Sequence, residues 1–205
     1  MYKKLIIIIG LFILTGCTAY NVDDMSYEDI IEMVVTEDAN LYNTNNKGYK
    51  YFLPAEFSVY KDDNYNQVLL SKGTFYYLNV DVVSYYYKNN LITSREFDDF
   101  FHHTFNSKGK DGYLRIRKNN DYFFVELCYN YAIIEVEVKE EDLKYAVSRG
   151  MSILNSIKYN DVVIEKYIGD NDLDSSETMY NIPEPKDKVD NKNVLEYINE
   201  NEDEE

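Results

Sequence analysis

The residues best suited to grip a ligand are Tyr77, Asp81, Tyr85 and Tyr87. Read as one strand from Thr74 to Tyr87, these positions share a face, because side chains alternate across a strand. Flat rings with hydrogen-bonding tips around a carboxylate suit sugar stacking or a protein hot spot. The plainer reading is that flanking helices cover the rings, since aromatic residues favour strands in any case. His102 and His103 are the only histidines, and on a helix they pair at i,i+4 with Asp98 and Asp99. Adjacent helical side chains diverge by about 100°, and each pair supplies two ligands where zinc takes three or four, so no metal site is expected. The sequence has no Gly-rich phosphate loop, no GxSxG elbow and no HExxH helix. Carboxylates are too numerous to single out a glycosidase pair, so no catalytic residue and no cofactor is assigned.

Lys3 and Lys4, the apolar run from Leu5 to Leu14 and the small pair Thr15-Gly16 have the layout of an export signal over residues 1–16. Spanning a bilayer takes roughly 20 apolar residues, so this run is short for a permanent span. Leu14-Thr15-Gly16-Cys17 resembles the lipobox of bacterial prolipoproteins. That resemblance implies cleavage before Cys17, lipid on its thiol, and anchoring at the extracytoplasmic face of the cell membrane. Two acyl chains hold where one is marginal, each buried methylene adding about 0.8 kcal/mol. With Cys17 consumed, Cys128 has no disulfide partner, and its aromatic, strand-like surroundings mark a buried, inert thiol.

The elements that carry these groups alternate between helix and strand patterns. Residues 17–25 read as a lipidated tether and 26–169 as one α+β domain, an antiparallel sheet flanked by helices. Ser26 begins a helix to about Glu37, with Tyr27, Ile30, Ile31 and Val34 on one face. After the polar connection Asn43 to Gly48, strands are expected at Tyr49 to Leu53, Phe57 to Tyr60, Gln67 to Leu70 and Thr74 to Tyr87, with Lys72-Gly73 as a turn. The phenylalanines at 97, 100, 101 and 105 suit a helix over Thr93 to Phe105. Strands follow at Tyr113 to Arg117, Tyr122 to Cys128 and Ala132 to Lys139. A helix bearing Leu143, Ala146, Val147, Gly150, Leu154 and Ile157 comes next, then a closing strand from Val162 to Tyr167.

From Asp170 onward the composition shifts. Thirteen acidic residues against three lysines, with few aliphatic side chains, leave residues 170–205 unable to bury enough surface to offset ordering, so this tail is expected to be disordered. Val194, Leu195 and Ile198 at helical spacing keep open the alternative that it folds on a basic partner. The whole chain carries a formal charge of -16, which argues against nucleic acid and against direct contact with anionic lipid.

The stretch Gly48-Tyr49-Lys50-Tyr51-Phe52-Leu53-Pro54 leading to Phe57-Ser58-Val59, with the late Ile153-Leu154-Asn155-Ser156-Ile157, is similar to the opening and closing elements of PsbP/Mog1-type domains. The resemblance spans about Tyr49 to Tyr159 and implies a central antiparallel sheet with a binding or assembly role. The expectation is therefore a membrane-anchored, non-catalytic binding or assembly module with an envelope protein or glycan as partner. The alternative is an envelope glycan hydrolase using acidic residues near the tyrosine face. Solute capture for a transporter fits less well, because two-lobed receptors need two domains.

Overall fold

The computed structural model of the protein describes residues 21–89 and 99–169. Ser26 opens the first helix, α1 (Tyr27–Thr36): its Oγ accepts the Asp29 amide at 3.1 Å, and Ile30, Ile31, Val34 and Val35 form the buried stripe. Ahead of it Val22–Asp24 forms a 3-10 turn, and Lys144 Nζ donates to the Asp23 carbonyl at 2.5 Å. The last described residues of the expected tether are thus clasped to the domain.

Seven strands form the main sheet: β3 (Ser58–Asp63), β4 (Asn66–Ser71), β5 (Thr74–Val80), β6 (Phe101–Ser107), β7 (Lys110–Asn119), β8 (Tyr122–Tyr129) and β9 (Ala132–Lys139). Their order is β3-β4-β5-β9-β8-β7-β6 and every neighbouring pair is antiparallel. Lys72 and Gly73 turn β4 into β5 with φ of 51° and 80°, the two positive values that let a two-residue loop follow strand twist. Edge strand β3 is exposed throughout and carries a register shift between Val59 and Lys61.

A smaller antiparallel sheet, in the order β1-β2-β10, joins β1 (Thr44–Asn46), β2 (Tyr49–Tyr51) and β10 (Lys158–Tyr159). It is tied to the larger one by phenols: Tyr51 Oη donates to Gln67 Oε1 at 2.8 Å, and Tyr49 Oη to the Asn64 carbonyl at 2.7 Å. Buried polar tips are thereby satisfied. The other helices are α2 (Val82–Tyr87), α3 (Leu143–Asn155) and α4 (Asp161–Gly169).

Alternation decides where the core lies. Leu114, Ile116, Val125, Leu127, Ile134 and Val136 are fully buried on one sheet face, while the residues between them are half-exposed on the other. Burying each such side chain stabilises the fold by about 1.5–3 kcal/mol. Helix α3 covers the first face at close range, since a Cβ on Gly150 would collide with Leu127 Cδ1 and touch Ile134 Cγ2 at 3.6 Å. The chain is thus a mixed α+β domain. It divides into Met1–Asp170 and Asn171–Glu205, the second unit lying outside the described residues with the rest of the expected acidic tail.

Three expectations change. The strand begun at Thr74 stops at Val80, because Asp81 Oδ1 accepts the Ser84 amide at 2.7 Å and starts α2; an N-cap bond overrides the strand preference of the tyrosines that follow. Phe101 to Phe105 belongs to β6, not to a helix, since Phe101, His103 and Phe105 alternate with His102 and Thr104 along β7. Asp99 and Phe100 lie outside any helix, and the remainder of that expected helix, residues 93–98, lies outside the described residues. Val162 to Tyr167 is helical, not a strand: Asn160 caps α4 through its Oδ1 to the Val163 amide at 3.3 Å, outweighing the β-branched Val162-Val163-Ile164 run.

Candidate functional site

The tyrosine group divides at Asp81. Tyr77 stays on the second face of the large sheet, 49% exposed, while Tyr85 and Tyr87 are carried away on α2 and Asp81 is used as its cap. Tyr85 packs parallel to Tyr159 with centroids 3.8 Å apart, and Lys88 Nζ lies 3.7 Å over its ring. A ring stacked on one side and capped by an ammonium on the other offers no face to a sugar. Its hydroxyl donates to Asp161 Oδ1 at 2.7 Å, and burial followed by that carboxylate pushes the phenol up to about 12. Tyr87, 60% exposed and edge-on to Tyr86, is the freest of the three rings. Tyr85 is thus covered by Tyr159 of β10 and by Lys88 at the end of its own helix, and of the four residues only Tyr77 lies on a strand of the large sheet.

The second sheet face carries an acidic row that spacing alone did not single out. Glu126 on β8 lies directly opposite Glu135 on β9, and Tyr77 on β5 lies opposite Glu135 on its other side. Tyr113 Oη donates to Glu126 Oε1 at 2.5 Å, Arg115 Nη1 lies 3.7 Å from Glu126 Oε2, and Arg115 Nε bonds both oxygens of Asp99 at 3.1 Å. Burial, then the Glu126 charge, raises the Glu135 carboxyl to about 7, partly opposed by Arg117. A carboxyl that holds its proton near neutrality beside a second carboxyl has the make-up of an acid–base pair. Cys128, at the end of the same strand, is buried, and desolvation pushes its thiol up to about 12, which makes it inert.

A cavity of about 620 Å³ opens where the small sheet meets α4. Lys47, Lys50 and Lys158 line it together with one carboxylate, Asp161. Gly48 forms its tight corner: φ is +87°, and a Cβ there would sit 2.8 Å from Ile164 Cγ1. Lys50 and Lys158 are register partners on β2 and β10. Lys47 Nζ rests 3.8 Å over the Tyr167 ring and Lys50 Nζ 4.3 Å over Tyr42. Among the described residues no carboxylate comes within 4.0 Å of any of the three ammonium groups.

Comparison with protein-family models, with curated proteins and with solved structures finds no match for this chain. The site reading therefore rests on geometry.

His102 and His103 point to opposite faces of β6, His103 in a ring row with Phe101 and Phe105. No group of three or more His, Cys, Asp or Glu among the described residues could hold a metal ion. No described helix is long and apolar enough to cross a membrane. Cys17 lies outside the described residues. The lysine cavity had one trace in the sequence, the Lys47-Gly48-Tyr49-Lys50 turn in an acidic chain, but its third lysine comes from more than 100 positions away.

Proposed function

We propose that this chain is an extracytoplasmic binding or assembly module without catalytic activity, held to the cell membrane by lipid on Cys17. The observation that carries the binding reading is the cavity, because its walls come from distant parts of the chain and its three ammonium groups have no carboxylate within 4.0 Å among the described residues. The acidic row, by contrast, is matched by Arg115 and Tyr113. The export signal and the LTGC tetrad support the anchor. In-cell cross-linking with mass spectrometry, comparing full-length protein with a version ending at Gly169, tests the reading. A partner cross-linked through the domain in both forms is expected; a partner lost with the tail moves recognition to residues 170–205, and none at all counts against an assembly role.

The raised carboxyl of Glu135 beside Glu126 and Tyr77 favours one second reading, hydrolysis of envelope glycan. Release of soluble sugar from wall material by purified full-length protein, abolished in Glu135→Gln, supports it. No release by the wild type removes it.

A further inference from the structure

The geometry points to a phosphate group as the ligand of the lysine cavity, an assignment that rests on the binding-module reading and gives it a chemical class. Three lysines and one aspartate line the cavity, so it concentrates a net charge of about +2 in a chain whose formal charge is -16. Lys50 and Lys158 face each other directly across β2 and β10, and like charges so placed repel until an anion lies between them. The rings of Tyr42 and Tyr167 lie under two of the ammonium groups, so each cation keeps donors turned away from its ring. Tyr85 holds the carboxylate of Asp161 through a hydrogen bond at 2.7 Å, engaging the one anion in the wall.

Helix α4 adds a second set of donors. Asn160 caps it with a neutral amide that takes the Val163 N–H, while the amides of Asp161 and Val162 have no acceptor among the described residues. Backbone N–H groups at a helix start favour anions, and lysines serve phosphate as point charges. A single carboxylate brings one charge, whereas a phosphate monoester brings about 1.5 to 2 with three acceptor oxygens, which matches the cavity. At about 620 Å³ the space also admits the group that bears the phosphate. That bearer is either a lipid headgroup or a soluble or wall-linked phosphorylated molecule.

Full-length protein in nonionic micelles, labelled with 15N, separates these sources. One arm adds inorganic phosphate against chloride at equal ionic strength; the other dopes the micelles with phosphatidic acid, whose headgroup is a phosphate monoester. Saturable shifts of the Gly48, Lys50, Lys158 and Val162 amides in either arm are expected. The double variant Lys50→Glu/Lys158→Glu weakens binding at least tenfold, and Lys50→Arg/Lys158→Arg keeps it, with the remaining amide spectrum reporting that both variants fold. A response to phosphate alone assigns a soluble or wall-linked ligand, and a response to doped micelles a headgroup. No saturable shift in either arm, or shifts that the glutamate variant leaves intact, overturns the assignment. A partner cross-linked through the domain in that case leaves the binding-module reading standing.

Discussion

Among the described residues, like charges stand directly opposed twice. On the large sheet Glu126 faces Glu135; on the small one Lys50 faces Lys158. The acidic pair is neutralised within the domain, by Arg115, by the Tyr113 hydroxyl, and by a proton that Glu135 keeps to about pH 7. Of the basic pair, Lys50 rests on the Tyr42 ring, and among the described residues no carboxylate comes within 4.0 Å of either ammonium. A cluster closed on itself adds rigidity and offers little to a ligand, whereas an unmatched one gains by taking a counter-charge from outside. This contrast, not the number of acidic residues, locates the candidate site.

The contrast breaks most sharply at Arg115. Its side chain and that of Asp99 are only 13% and 6% exposed, so Arg115→Met strands buried carboxylates and is expected to cost about 3–5 kcal/mol, read by urea unfolding. A loss under 1 kcal/mol would mean the row is not closed by this arginine.

Glu135 gives the next effect, through pH. Its folded carboxyl holds the proton to about 7 against an ordinary value of 4.5, so between those limits the folded state binds more protons than the unfolded one. Stability contributed by this group is therefore full below about 4.5 and is lost as pH rises through about 7. In Glu135→Gln the thermal midpoint should rise relative to wild type at pH 8 and match it at pH 4. Identical pH profiles would place the neutralising proton elsewhere.

The smallest effect sharpens the basic side. Lys158→Glu sets opposite charges across β2 and β10 and should raise stability by about 0.2–1 kcal/mol, measured as a shift in the urea midpoint. A loss would show that Lys158 is already held favourably in the free protein.

Much of the scaffold was legible because one face of each strand is buried. The alternation in Tyr113 to Arg117, Tyr122 to Cys128 and Ala132 to Lys139 follows directly from α3 covering that face. Two of the three departures share a cause, a helix cap that overrides side-chain propensity; the third, Phe101 to Phe105, is set by pairing with β7. Asp81 before Ser84 and Asn160 before Val163 are short local bonds that start helices inside runs of tyrosine and valine, where period-2 and period-3.6 patterns look alike. The site was less legible still. Lys50 meets Lys158, and Tyr85 meets Tyr159, only through pairings between segments far apart in the chain, and no spacing within one segment encodes them.

The clasp between Lys144 and the Asp23 carbonyl bears on where such a module can work. With Cys17 as the proposed anchor, Asn21 lies four residues along, a leash of at most about 14 Å even at full extension. The domain would skim the headgroup layer, not range outward from it. For a ligand carried on the same surface, so short a leash gives an effective concentration on the order of millimolar, and a site of modest intrinsic affinity would stay occupied there.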